Sequence, residues 1–470
     1  MENKGCTYIR ISSYTKKKKM RFDTDRQTLL DLNIFPKERG IKSVFEYYNQ
    51  TQTKGGKDLL LSIMSLPLND LTEINNRICS IKFLHDNNLY CKLERKDLDA
   101  IEYYLNLDKS ILKDHILDSI YNYFSNRVKP TNEYYLISRG INCLYKHVRN
   151  LIDFFENDDI PELPGFLAEF KSEVDRIKYH PDFNSFINKD RKKLNFRQIN
   201  RFDYLIRKSE KETIVKILEF TYILDSYISL AIITKEKELG FPTFIETSNS
   251  KIKIEGFFHP LIENPVKNDI NFSNDENLCF VSGANMAGKS TFLKSIGLCV
   301  YLSHIGFPVP ARTMVTPLFH GLYTTINISD NISKGYSHYY SEVKRIKDIT
   351  LLIKERKRVF VIFDELFRGT NVKDAFDATL MITQGFTRIK NSVFFISTHI
   401  VEVGKELEES DSICFKCFES KLYGEQPIYN YKLKDGISSE RLGLTILKNE
   451  QILEIIDEIA ENEKNTDANT

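Results

Sequence analysis

The chain has 470 residues, roughly three average domains or one small and one large. Its 28% charged and 41% hydrophobic residues are globular values that exclude a wholly disordered, collagen-like or disulfide-scaffold chain. With 66 Lys and Arg against 65 Asp and Glu, the net charge of +1 creates no global field toward nucleic acid or membrane, so any polyanion site must be local.

Eight scattered cysteines, and an opening Met1-Glu2-Asn3-Lys4 without an apolar leader, predict reduced thiols in a cytoplasmic setting. The long uncharged run Ser295 to Ala311 is interrupted by Ser303, His304, Pro308 and Pro310, and predicts no membrane span.

Residues 1–20 read as a basic N-terminal tail around Lys16, Lys17, Lys18 and Lys19. Residues 21–240 read as helical. Apolar residues recur at three and four through Leu29, Leu32, Val44, Phe45, Tyr48, Leu59, Leu60 and Ile63, with Gly55-Gly56 and Pro67 as punctuation. A second helical stretch from about Leu93 to Phe155 ends in the turn-rich Asn157 to Gly165, and Glu212 to about Leu239 reads as one long packed helix.

After Gly240-Phe241-Pro242 the texture changes to short β-rich runs: Ile252 to Ile254, Leu278 to Val281, Val359 to Phe363, Val393 to Ile396 and Ile428 to Leu433. Helical patterns between most of them predict, over residues 241–450, an α/β domain with a largely parallel sheet. The acidic tail 451–470 is expected to be disordered beyond about Ile459.

Leu278 to Val281 runs into Gly283-Ala284-Asn285-Met286-Ala287-Gly288-Lys289-Ser290, and an apolar helix opens at Thr291. This is the P-loop pattern in its strand-loop-helix context. Its glycines let backbone N–H groups curl around phosphate oxygens, and the helix N-terminus adds positive potential there. Lys289 is placed to neutralise the β- and γ-phosphates of a nucleotide, and Ser290 to offer a hydroxyl to Mg²⁺.

Such a site needs an acid at the end of a neighbouring strand, which Val359 to Phe363 followed by Asp364-Glu365 supplies. Asp364 is expected to hold Mg²⁺ through water, and Glu365 to orient and deprotonate the attacking water. Val393 to Ile396 leads to Ser397-Thr398-His399, with His399 as the γ-phosphate sensor.

The segments Ser282 to Thr291, Asp364 to Thr370 and Ser397 to His399 closely resemble the ATPase domain of the MutS family of DNA mismatch repair proteins. Glu255 to Pro260 is similar to that family's Glu-Gly-Arg-His-Pro strand, and Asn268-Asp269-Ile270 to its Asn-Asp-Ile. Asp330, Ile332, Gly335, Ser337 and Glu342 match its signature loop, and Tyr431 to Gly436 with Gly443-Leu444 its closing strand and turn. Thr28, Asp31-Leu32, Gly55-Gly56, Leu59-Leu60, Ile74-Asn75 and Leu224 to Ala231 resemble its core and lever.

The resemblance implies an α plus α/β architecture, a helical core and lever followed by an ABC-type P-loop ATPase, in a short form lacking the N-terminal mismatch-recognition domain. It further implies ATP and Mg²⁺ as cofactors and a homodimer joined through the ATPase domains. Gly283, Asn285, Gly288, Lys289, Ser290 and Thr291 would bind nucleotide, and Ser337 would complete the partner's site in trans. Glu365, His399 and Lys289 would be catalytic, with Ser290 and Asp364 on the metal.

Double-stranded or branched DNA is the implied partner, in mismatch repair or related DNA transactions of a nucleoid-associated protein. The alternative is a nucleotide-switched dimeric clamp or interaction protein on branched or recombination DNA, without mismatch recognition. Three departures stand out. Pro265 replaces an adenine-stacking aromatic, with Phe257 or Phe258 as substitutes; Phe367 replaces a glycine; Ala287 replaces another.

Lys189, Arg191, Lys192, Lys193, Arg197 and Arg201, with Arg207 and Lys208, alternate with Phe196, Phe202 and Tyr204 and are candidate DNA-phosphate contacts. Cys414-Phe415-Lys416-Cys417 lacks a second pair at zinc spacing.

Overall fold

The computed structural model describes residues 22–36, 42–108, 111–112, 132–156, 162–187, 194–246, 251–272, 275–284, 286–326, 338–355, 358–423, 426–438 and 451–467. Two compact units emerge. One comprises Tyr48–Glu238 with Ile305–Pro308; the other comprises Arg21–Tyr47, Leu239–His304 and Val309–Thr470. Residues 21–47, read from sequence as part of the helical region, therefore join the second unit.

The chain enters through β1 (Asp23–Thr24), α1 (Arg26–Asp31) and α2 (Val44–Tyr48). Asp25 caps α1 by accepting from the Thr28 amide at 2.9 Å. The helical unit then builds α3 (Lys54–Met64), α4 (Leu71–Asp86), α5 (Arg95–Leu105), α6 (Asn132–Phe155), α7 (Gly165–Lys178), α8 (Pro181–Ile187) and α9 (Phe196–Tyr204). A π-helical turn, Leu205–Ser209, leads into α10 (Lys211–Lys237).

Residues of α10 are buried on almost every side of the helix, so it is the core helix of its unit. By length and composition it is apolar enough to cross a membrane, a property that its scattered charges hide from a scan for uncharged runs. However, 78% of its most apolar window is buried inside the protein. It ends where Glu238 turns left-handed at φ 52°.

Polar residues of α10 fasten α3. The Asp225 carboxylate accepts from the Gln52 and Thr53 amides at 2.9 Å each, and Thr53 in turn caps α3 at the Gly56 amide. A side chain at Gly56 would collide with that carboxylate, so the Gly55-Gly56 pair reflects close helix approach.

The second unit contains β2 (Pro242–Ile245), β3 (Lys253–Phe257), β4 (Asn268–Asn271), β5 (Leu278–Gly283), α11 (Lys289–Ile305), β6 (Thr313–Pro317) and β7 (Gly321–Thr325). It continues through α12 (His338–Glu355), β8 (Val359–Phe363), α13 (Val372–Thr387), β9 (Val393–Ser397), α14 (Val401–Glu406), β10 (Ile413–Tyr423), β11 (Gln426–Asp435) and α15 (Ile452–Asp467). The larger sheet has the order β1-β7-β8-β9-β5-β10-β11. Every pairing in it is parallel except the β10–β11 hairpin.

The expected mixed α/β architecture with a largely parallel sheet is thus borne out. Strands β5, β7, β8 and β9 are buried along their whole length, as a sheet covered on both faces requires. A second sheet, β2-β6-β3-β4, was not anticipated from the sequence.

The expectation of disorder beyond Ile459 is corrected, because α15 continues to Asp467. Ile452, Ile455, Ile456 and Ile459 recur at helical spacing and start a helix that the acidic composition disguised.

Candidate functional site

Strand order places β5 between β9 and β10, and β8 beyond β9, so their C-terminal ends open side by side. At the end of β5, Gly283 adopts φ 144°, and a Cβ there would lie 2.8 Å from the Phe418 carbonyl oxygen. Only glycine fits so close to the neighbouring strand. The loop returns through Gly288, at φ 106°, into the first turn of α11, which begins with Lys289, Ser290 and Thr291.

Lys289 is 5% exposed, and its ammonium donates to the carbonyls of Gly283 and Ala284 at 2.8 and 2.9 Å. Burial lowers its pKa, opposed by the nearby carboxylates of Glu365 and Asp364. Asp364 follows the last residue of β8. Burial raises its pKa, while hydrogen bonds from Ser290 and Ser397 oppose that rise.

Glu365 sits at φ 54°, with its amide donating to the Ser397 carbonyl at 3.0 Å. Its carboxylate is gripped on Oε1 by His399 Nε2 and on Oε2 by Arg368 at 2.5 Å. The His399 hydrogen bond is the main cause holding the Glu365 pKa below the usual carboxylate range.

Lys289, Ser290, Asp364, Glu365 and His399 therefore lie around one group of strand ends. Asn285 and Ser337 lie outside the described residues. A buried cation, backbone amides at a helix start and a hydroxyl beside a carboxylate form a donor set suited to phosphate and to a hard, oxygen-seeking cation such as Mg²⁺. Among the described residues no group of three or more His, Cys, Asp or Glu forms a metal cage. Mg²⁺ commonly uses one or two carboxylates plus substrate phosphates instead.

Three contributors escaped the sequence reading. Ser397 and Arg368 hold the two acids. Tyr431, 47% exposed on β11, places its ring 3.2 Å from where Gly288 would carry a Cβ. Asn268 on β4 fixes it, donating to the Tyr431 carbonyl at 3.0 Å and accepting from the Leu433 amide at 2.8 Å. Phe257 and Phe258, expected as substitutes at the base, are only 1% and 8% exposed, and Phe257 packs on Phe292 at 5.5 Å.

Of the basic stretch, Lys189, Arg191, Lys192 and Lys193 lie outside the described residues. Arg197 and Arg201 are on α9, and Arg201 pairs with Asp182. Arg207 is a correction: its side chain is 4% exposed and bonded twice to Asp203 at 2.7 Å, which removes it from any surface contact. The π-helical turn and the partner four residues earlier cause that burial. Cys414 and Cys417 are both buried on β10.

A buried, largely parallel sheet, with a glycine-containing loop opening a helix and an acidic pair at the end of a nearby strand, defines a mixed α/β protein. Residues 279–466 match the family model described as MutS domain V. Over 90% of its length the chain is 24% identical to the DNA mismatch repair protein MutS of Thermotoga petrophila, covering 63% of that protein. It is likewise 24% identical, over 90% of its length, to the protein of that name from Borrelia turicatae, covering 59% of it. A third, from Petrotoga mobilis, is 29% identical over 48% of this chain and 28% of its own. The resemblance to the MutS family read from the motifs is thereby borne out.

Proposed function

We propose that the second unit is an ABC-type P-loop ATPase domain, and that the chain is a MutS-like, DNA-binding ATPase acting in mismatch repair or a related DNA transaction. The observation that carries this reading is the convergence of Lys289, Ser290, Asp364, Glu365 and His399 at adjacent strand ends.

In this reading Lys289 exchanges its two carbonyl partners for β- and γ-phosphate oxygens, which compensate its buried charge better. Ser290 and Asp364 would hold Mg²⁺, which would supply charge neutralisation at the phosphates. Glu365 turns from Arg368 toward the attacking water, and His399 passes from Glu365 to the γ-phosphate. The exposed ring of Tyr431 beside Gly288 offers a face to the base. Ser337 of a second copy closes the site, making it composite across a homodimer.

The helical unit with its α9 segment carries the DNA contacts, and the protein works in the cytoplasm at the nucleoid. Rate enhancement comes mainly from positioning and charge compensation. Binding to homoduplex, mismatched and branched DNA, each with and without ATP, tests the functional assignment. ATP-modulated binding supports it, and preference for branched over mismatched duplex selects the recombination clamp. Indifference to DNA under all conditions overturns it.

A further inference from the structure

We infer that Ser397 is a positioning residue of this site: its hydroxyl ties Asp364 to the backbone of Glu365, so that the metal-side and water-side acids are held as one unit. This rests on the roles proposed above for those two acids.

Ser397 is the last residue of β9 and fully buried. Its Oγ donates to Asp364 Oδ1 and accepts from the Glu365 amide at 3.2 Å. The same amide also reaches the Ser397 carbonyl at 3.0 Å. A hydroxyl has a single proton, so donation to Asp364 leaves only acceptor capacity for Glu365. The polarity of the bridge is therefore defined.

The bridge answers two local difficulties. Asp364 is only half-buried at the strand end, so its carboxylate depends on partners for its direction, and the hydroxyls of Ser290 and Ser397 donate to it. Should Ser290 turn toward a cation, Ser397 remains to keep the Asp364 carboxylate aimed. Glu365 has φ 54°, a left-handed conformation that disfavours any residue with a Cβ. Such geometry persists where neighbours over-determine it, and Ser397 holds the Glu365 amide through both its carbonyl and its side chain. A methyl group in place of the hydroxyl would fill similar space and do neither.

The test uses the full chain with Ser397→Ala and the near-isosteric pair Ser397→Thr and Ser397→Val, which differ in the hydroxyl. Mn²⁺, replacing Mg²⁺, is titrated by electron paramagnetic resonance in the presence of a non-hydrolysable ATP analogue, and ATP turnover is measured alongside. Outer-shell partners of this kind typically change metal affinity or activity by about 10–100-fold. Ser397→Ala and Ser397→Val are expected to weaken Mn²⁺ binding about tenfold. They should also lower kcat with little change in nucleotide KM, while Ser397→Thr restores both.

Mn²⁺ affinity and kcat within twofold of the unsubstituted protein in the Ala and Val variants would overturn the inference, as would equal losses in Thr and Val. Asp364→Asn, measured in parallel, separates the two readings. If it also leaves Mn²⁺ binding intact, the assignment of Asp364 fails; if it abolishes binding while Ser397→Ala does not, only the role of Ser397 fails.

Discussion

Phe367 packs its ring against that of Tyr339, with centroids 5.6 Å apart, from a backbone φ of 64°. The left-handed backbone there is one that glycine enters freely, yet the position carries a side chain that joins the core of the α/β unit. The ring's burial offsets the conformational cost, which is about 1–2 kcal/mol for a residue with a Cβ.

Two substitutions separate these contributions. Phe367→Ala removes the ring but retains the strain and is expected to destabilise by about 3–5 kcal/mol. Phe367→Gly removes slightly more surface yet relieves the strain, so it should be about 1 kcal/mol more stable than the Ala variant. Urea unfolding midpoints of the pair check this; a Gly variant no more stable than Ala would contradict it.

His147 on α6 provides a pH dependence in the helical unit. It is buried, and its Nε2 lies 2.9 Å from Thr221 Oγ1, whose own proton goes to the Ile217 carbonyl at 2.8 Å. Nε2 is therefore the donor. Burial lowers its pKa from 6.5 to about 4. Below 6.5 the unfolded chain takes a proton that the folded one refuses, so stability falls as pH drops from about 6.5 toward 4 and levels off beneath. Within that window each pH step of one costs on the order of 1 kcal/mol. His147→Gln, which keeps a donor but does not titrate, should flatten the change in unfolding midpoint between about pH 7 and about pH 5, values that bracket the upper part of the window. An unchanged slope would show that other groups dominate.

The legible and illegible parts of the molecule differ in physical kind. β5, β8 and β9 were readable because strands buried on both faces are unbroken apolar runs, here ending in Gly283, Asp364-Glu365 and Thr398-His399. β7, with sequence Gly321-Leu322-Tyr323-Thr324-Thr325, is equally buried but lacks such a run. β1 is two residues long and exists because Asp23 and Thr24 pair with Gly321 and Leu322, far along the chain. Asp31 is buried for a similar reason: it accepts from Thr324 Oγ1 at 2.8 Å and the Ile326 amide at 3.0 Å.

In the site, motif spacing identifies Lys289, Ser290, Asp364, Glu365 and His399 as candidates. Tyr431 depends on the pairing of Asn268 with a strand 163 residues away, which no local pattern encodes. Arg207 reads as a surface charge until Asp203 and Tyr104 are brought around it.

The basic segment leading into α9 makes a salt-dependent prediction. Contacts to phosphate release counterions, and affinity for duplex DNA weakens with a slope of about −0.9 per phosphate neutralised. Replacing Lys192, Lys193 and Arg197 by Glu should flatten that slope and lower affinity for matched and mismatched duplex alike, since phosphate contacts carry no sequence information. Full binding by the reversed variant, measured across a salt series, would remove this segment from the DNA surface.

A composite site predicts complementation. A Ser337→Arg subunit mixed with a Lys289→Ala subunit should rebuild one working site per dimer and recover ATPase activity that neither has alone. With subunit exchange demonstrated, no recovery would mean that Ser337 does not serve its partner.

Lys289 and Glu365 divide binding from hydrolysis in the proposed chemistry, so their variants must fail differently. ATP binding and single-turnover hydrolysis are measured on Lys289→Ala and Glu365→Gln in the presence of Mg²⁺. The expected result is loss of ATP binding in Lys289→Ala, where phosphate charge is left uncompensated. Glu365→Gln should bind ATP as the unsubstituted protein does and hydrolyse it at least about 100-fold more slowly, the scale of a lost general base. Equal loss of binding in both variants, or normal hydrolysis by Glu365→Gln, would contradict the assignment of these strand ends as an ATPase site.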